Sequence, residues 1–134
     1  MPAKDRLHDT VKRVLIKAGW EITGEQIALK IGKRRLWIDL QVQHIQTSQV
    51  IFVEVKDLSS ASMVETFALA VGKFVLYRTV LKQIGNDSPL YLSVPVHVAD
   101  DFLNDELGKL IVNVENVNLI VFDPIREEIV RWNA

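Results

Sequence analysis

Three residues of this 134-residue chain have the types and spacing of a hydrolytic metal site built on two adjacent strands: Asp39-(x14)-Glu54-x-Lys56. Glu54 and Lys56 end the otherwise apolar run Val50-Ile51-Phe52-Val53-Glu54-Val55-Lys56, and Asp39 is the only charge in Leu36-Trp37-Ile38-Asp39-Leu40. Side chains alternate along a strand, so Glu54 and Lys56 share a face with Val50 and Phe52, while Ile51, Val53 and Val55 take the other. A strand apolar on both faces is a central one, and polarity that begins at its C-terminal end marks a place for a site. Two carboxylates converging there are hard oxygen ligands suited to Mg²⁺ or Mn²⁺, with the Val55 carbonyl as a further ligand. Such a metal would acidify a bound water and offset charge on a phosphate, and Lys56 would orient the nucleophile or neutralise a phosphate oxygen. The same residues also admit a purely structural Glu54–Lys56 pair, although removing both ions from water costs several kcal/mol each unless the strand end is open.

The elements that must position these residues follow from periodicity. Leu7, Val11, Val14, Leu15 and Ala18 recur at i, i+4, i+7, i+8 and i+11, an amphipathic helix over 4–18 that Gly19 terminates. Its other side carries Asp5, Asp9, Lys12, Arg13 and Lys17, with His8 on the flank of the stripe. His8 and Asp9 are within reach of a site or are ordinary surface residues. Trp20–Thr23 and Ile27–Ile31 read as two short strands, and Gly32-Lys33-Arg34-Arg35 as a basic turn into a Leu36–Val42 strand. In that strand Leu36, Ile38, Leu40 and Val42 form one face. The polar segment 43–49 reverses the chain, so strands 36–42 and 50–56 are an antiparallel pair.

After Asp57-Leu58-Ser59-Ser60, Ser62-x-x-Glu65 is a capping box opening a helix that buries Phe67, Ala70, Val71, Phe74 and Leu81 and ends at Gly85-Asn86-Asp87. Midway along it Lys73 can face the strand ends if the helix packs across them; the plainer reading is a snorkelling surface lysine. Leu90–Val94 is a strand closed by Pro95, parallel to strand 50–56 through the helical crossover. A helix over about 100–112 and a hairpin of 119–122 with 129–132 complete an α/β domain with a mixed sheet flanked by helices.

Composition narrows the function classes. Hydrophobic residues make up 49% and charged ones 25%, ordinary for one globular domain, and the absence of cysteine excludes disulfides, thiolate metal sites and a cysteine nucleophile. The charged N-terminus lacks the apolar core of a signal peptide and no run approaches a membrane span, so a cytoplasmic location with no membrane partner is expected. Net charge is −1, but residues 1–35 hold nine Lys/Arg against four Asp/Glu and the remainder seven against thirteen. The basic third offers Lys12, Lys33, Arg34 and Arg35 as contacts to DNA phosphates, or is simply a solvated helix face and hairpin.

These residues together resemble the PD-(D/E)xK nuclease superfamily, with its restriction endonuclease-like core, and more closely the XisH-like fdxN element excision controlling factors of cyanobacteria. The resemblance spans nearly the whole chain: Met1-Pro2-Ala3-Lys4-Asp5 with His8-Asp9, Leu15-Ile16-Lys17 to Gly19-Trp20, Leu36 to Leu40, Val53-Glu54-Val55-Lys56, Leu76-Tyr77-Arg78, Leu119-Ile120-Val121-Phe122-Asp123-Pro124 and Ile129-Val130-Arg131-Trp132. It implies an accessory role in programmed excision of a DNA element during heterocyst differentiation, beside a site-specific recombinase and a second, XisI-like controlling factor. By position it makes Asp39 and Glu54 metal ligands and Lys56 the catalytic lysine of a Mg²⁺-dependent endonuclease, with His8 and Asp9 as helical additions. The sequence departs from the family's Gly-Gln-Tyr at Gly72-Lys73-Phe74, where a cation replaces a polar contact. Two readings stand: a factor that processes DNA at a metal site, or a regulatory subunit that binds an XisI-like partner or a second copy of itself. The overall acidity favours the second; the retained Asp39, Glu54 and Lys56 favour the first.

Overall fold

Six strands form one sheet in chain order, β1 to β6, in a computed structural model that describes residues 5–58 and 62–133. The expectations that fall on residues 1–4 and on Ser59 and Ser60 lie outside the described residues. The strands are β1 (Trp20–Ile31), β2 (Arg34–His44), β3 (Val50–Val55), β4 (Leu90–Pro95), β5 (Leu119–Asp123) and β6 (Glu128–Asn133). Short turns make β1–β2, β2–β3 and β5–β6 antiparallel, while β3–β4 and β4–β5 are parallel and need helical crossovers. The result is the mixed α/β sheet flanked by helices that the periodicity implied.

One face of the sheet is covered by α1 (His8–Lys17), whose Val11, Val14 and Leu15 pack with Leu40, Val42, Ile51, Val53, Val55, Ile120 and Phe122. The helix stops at Gly19, which takes φ +94°, a conformation open to glycine and strained for other residues. The other face is covered by α2 (Met63–Gln83), α3 (Val96–Asp100) and α4 (Glu106–Val114), which enclose Phe52, Phe67, Phe74, Leu92, Val94 and Val121. α2 ends in a Schellman motif: Gly85, at φ +77°, donates to Lys82 O, and Asn86 donates to Leu81 O. Among the described residues no helix is long and apolar enough to cross a membrane.

The structure corrects four expectations. The two strands over 20–31 are one strand with a bulge between Ile22 and Gly24, because β2 is long enough to pair with both halves. The Ser62 side chain makes no capping hydrogen bond, so α2 begins without the capping box. The helix over 100–112 is not continuous: α3 ends at Asp100, a 3₁₀ turn takes Phe102–Asn104, and α4 starts only at Glu106. Short polar side chains compete for the backbone there: Asp105 Oδ1 accepts from Gly108 N at 3.0 Å and starts a new helix. Finally, the face of Leu36, Ile38, Leu40 and Val42 is not continuous. Leu40 and Val42 pack under α1, whereas Ile38 and Leu36 join the core under α2, and the division falls at Asp39.

Candidate functional site

The β2–β3 register runs from Gln43↔Val50 to Leu40↔Val53 and stops. Beyond it the side chains of Asp39 and Glu54 take over the bonding between the strands. Asp39 N donates to Glu54 Oε1 at 3.0 Å, and Val55 N donates to Asp39 Oδ2 at 2.8 Å. Each carboxylate therefore satisfies a backbone amide of the opposite strand at the point where β2 bends away, an exchange required because buried amides without partners are costly. On the far side, Ser93 Oγ of β4 donates to the Glu54 carbonyl at 3.0 Å and fixes the β3 backbone from its other edge.

Two further side chains close the site. Gln26, in β1, holds φ +49°, a left-handed conformation unusual for a non-glycine residue, and its Nε2 lies 3.4 Å from Asp39 Oδ1. Lys73, from the middle of α2, places its Nζ 3.1 Å from Glu54 Oε2 as an ion pair and sits 5.3 Å from the Tyr77 ring centroid. Each of the four carboxylate oxygens of Asp39 and Glu54 thus faces one protein group: an amide, a side-chain amide, an amide and an ammonium. Glu54 Oε2 meets the Lys73 ammonium as an ion pair and accepts no other hydrogen bond, while Gln26 Oε1 is buried without a partner.

The electrostatics follow from burial. Glu54 is 2% exposed, and this desolvation, with the Asp39 charge beside it, pushes its pKa up to about 7 despite Lys73. Burial of Lys73 works against its charge, but Glu54 more than offsets this and the ammonium is held above its ordinary range.

The sequence-derived candidates divide. Asp39, Glu54 and Lys73 converge, with the Val55 backbone between them. Lys56 is half-buried just past the end of β3, its amide donating to Ser93 O at 3.1 Å, and its side chain forms no ion pair with Glu54. His8 is buried but turns to Glu25, with Nε2 3.1 Å from Oε1; Asp9 is exposed. Lys12 is bound to the other Glu25 oxygen at 2.8 Å, and these two partners hold the Glu25 carboxyl below its ordinary range, Lys12 foremost. Among the described residues no third His, Cys, Asp or Glu joins Asp39 and Glu54 in a group spaced for a metal ion. In type, two carboxylates and a carbonyl suit a divalent cation, and the orphaned Gln26 Oε1 offers a further lone pair; in place, the Lys73 ammonium already stands against Glu54.

Lys33, Arg34 and Arg35 stand at the tip of the β1–β2 hairpin together with Lys30, which pairs across the strands with Arg35. Gly32, at φ +58°, is the first residue of the two-residue turn, the position a type II′ hairpin gives to glycine. All four cations are exposed, and none takes part in an ion pair among the described residues. The tip lies about 17 Å along β2 from Asp39 at the usual rise per residue.

Gln26, Glu25 and Ser93 were not legible as parts of this region. The signal for the first two was the polar Gly24-Glu25-Gln26 interruption between two apolar stretches, which reads as a loop from sequence and is a bulged strand aimed at Asp39. Ser93 was visible only as a single hydroxyl in an apolar strand.

Comparison with known proteins places the whole chain beside two solved structures and a protein family. The crystal structure of an XisH family protein from Nostoc punctiforme PCC 73102 superposes with a TM-score of 0.89 at 28% identity, covering 97% of this chain and 100% of that one. A fdxN element excision controlling factor protein from Anabaena variabilis gives a TM-score of 0.89 at 31% identity, covering 96% and 98%. None of the curated proteins matches the chain significantly. The XisH protein family model matches residues 1–130, and the chain belongs to the XisH family.

Proposed function

We propose that this chain is a controlling factor for excision of a DNA element that works by holding DNA, not by cutting it, on a nuclease-like scaffold. The observation that carries this reading is the Lys73 ammonium 3.1 Å from Glu54 Oε2, a carboxylate oxygen that a metal would need. With that cation built in, the buried carboxylates are compensated without a metal and serve to pin β2 against β3. DNA is held by the uncompensated hairpin of Lys30, Lys33, Arg34 and Arg35; a two-stranded ribbon fits the major groove, and its cations replace counterions on the phosphates. The relative from Anabaena variabilis, an excision controlling factor at 31% identity, supports the biological setting. A site-specific recombinase would supply strand cleavage, and an XisI-like factor would be the second controlling subunit.

The buried Gln26 Oε1, which accepts no hydrogen bond beside Asp39, favours a second reading, in which Lys73 swings outward and Asp39, Glu54 and the Val55 carbonyl hold Mg²⁺ or Mn²⁺. That metal would supply an acidified water and charge neutralisation at a phosphate, with Lys56 on the phosphate oxygen.

One experiment separates the two. DNA binding at several salt concentrations, metal binding by calorimetry and cleavage with Mg²⁺ or Mn²⁺ are compared for the natural protein, a Lys33→Ala/Arg34→Ala/Arg35→Ala variant and an Asp39→Asn/Glu54→Gln variant. The expected result is weaker DNA binding and a shallower salt dependence in the hairpin variant alone, by about 0.9 in log–log slope for each phosphate no longer neutralised. Metal-dependent cleavage by the natural protein, abolished in the carboxylate variant, would overturn the holding role.

A further inference from the structure

The longest helix keeps an apolar face uncovered. On α2, Val64, Leu69 and Leu76 are 56%, 77% and 52% exposed, and on the adjoining α4, Leu107, Leu110 and Val114 are 42%, 56% and 63% exposed. Between the helices runs a groove of about 530 Å³ lined by Val64, Phe67, Ala68, Val71, Val75 and Ile111 among others, with Glu115 its one charged residue. Exposed large side chains scattered singly need no explanation, but an apolar groove between two helices that both carry exposed leucines marks an interaction surface. Gly72 stands at the centre of the exposed face of α2, and a Cβ built there meets nothing within 4 Å, so neither its own backbone angles nor its neighbours in this chain require a glycine. A glycine there removes the side chain that would keep another helix at a distance.

The charges on α2 select the occupant. Its first turn carries Glu65 and its last turn Lys82, both exposed; between them the exposed positions Ala68, Leu69, Gly72 and Leu76 are uncharged, and Lys73 at their edge is turned to Glu54. We propose that this face binds a second copy of the same chain, with the two α2 helices crossing antiparallel at Gly72 about a two-fold axis. That symmetry sets Ala68 opposite Leu76 of the second copy, Leu69 opposite Val75, and Glu65 opposite Thr79, one helical turn from Lys82. The acidic start of each helix meets the basic end of the other, twice, and the helix dipoles oppose one another. A self-complementary patch of this kind is what a two-fold homodimer requires, and that symmetry is the commonest in soluble oligomers. The exposed leucines of α4 widen the contact toward the roughly 800 Å² per partner of a stable interface.

The test is the mass of the intact chain in solution, by sedimentation and light scattering over micromolar concentrations. The natural protein is expected to run as two chains. Gly72→Arg and Leu69→Glu are expected to run as one chain with unchanged circular dichroism and melting temperature, because position 72 is open within the subunit and Leu69 is its most exposed helical leucine. Glu65→Lys is expected to weaken association about tenfold, and Glu65→Lys/Lys82→Glu to restore it, which only the antiparallel crossing predicts. A natural chain that is monomeric throughout overturns the proposal and leaves the face to a different protein. A dimer indifferent to Gly72→Arg and Leu69→Glu also overturns it, and places the two-fold contact elsewhere.

Discussion

Glutamine in place of Glu54 keeps an oxygen for the Asp39 amide and removes the one charge in the site that burial penalises most. Glu54 has a folded pKa of about 7 against an ordinary value of 4.5. A carboxyl raised in this way binds its proton more tightly in the folded chain than in the unfolded one, so its contribution to stability is fully present below about pH 4.5 and is lost as the pH rises through about 7. At about 1.4 kcal/mol per pH unit, the full cost of ionising it in the fold is about 3 kcal/mol, of which about 2 to 3 kcal/mol develops between pH 5 and pH 8. Glu54→Gln does not titrate. Its stability relative to the natural protein should therefore rise by that amount from pH 5 to pH 8, other titrating groups cancelling in the difference. Urea titrations of both proteins at the two pH values measure it. A gap between the proteins that does not change with pH would refute the reasoning, and would mean that Lys73 and the Asp39 amide keep Glu54 ionised across the whole range. The same arithmetic says that the Lys73–Glu54 ion pair is a feature of neutral and alkaline solution and gives way to a neutral carboxyl on acidification.

Two other predictions concern the broken helical region. A Cβ at Gly108 would lie 2.5 Å from the Phe102 carbonyl oxygen and 2.7 Å from the Leu103 Cα, both backbone, so Gly108→Ala should destabilise by roughly 1–3 kcal/mol in denaturant titration. Asp105→Ala removes the side chain that accepts from Gly108 N and should cost about 1 kcal/mol, read as a lower melting temperature without a change of fold.

Much of this architecture was legible because each element carries its own signal. The stripe of Leu7, Val11, Val14 and Leu15 marked α1, the apolar run at 50–55 marked the central strand, and the left-handed glycines at 19 and 85 marked two helix ends. The convergence of Asp39 with Glu54 was legible too, since both lie near the end of one antiparallel pair. The rest depended on tertiary geometry. Nothing local distinguishes a helical lysine on the surface from Lys73 lying over Glu54, and no sequence signal marks the left-handed conformation in which Gln26 reaches Asp39. The helix expected over 100–112 failed for a related reason: its apolar spacing is helical, but Asp105 finds a better partner in the Gly108 amide, and the packing of Gly108 against the preceding turn fixes the break.

The order of the strands in the sheet has a consequence for how the chain is made. Because neighbours in the sheet are neighbours in sequence, each strand can add to an edge already formed as it leaves the ribosome. The helix α1 has no such advantage. Arg13 pairs with Glu127 at 2.8 Å and Lys17 with Glu128 at 3.5 Å, and α1 covers Ile120 and Phe122 of β5. A helix made before every strand packs on β2 and β3 early and therefore finishes its packing last, once the β5–β6 hairpin has emerged. A chain cut short before residue 119 would leave α1 without Ile120 and Phe122 to cover and Arg13 and Lys17 without their carboxylates.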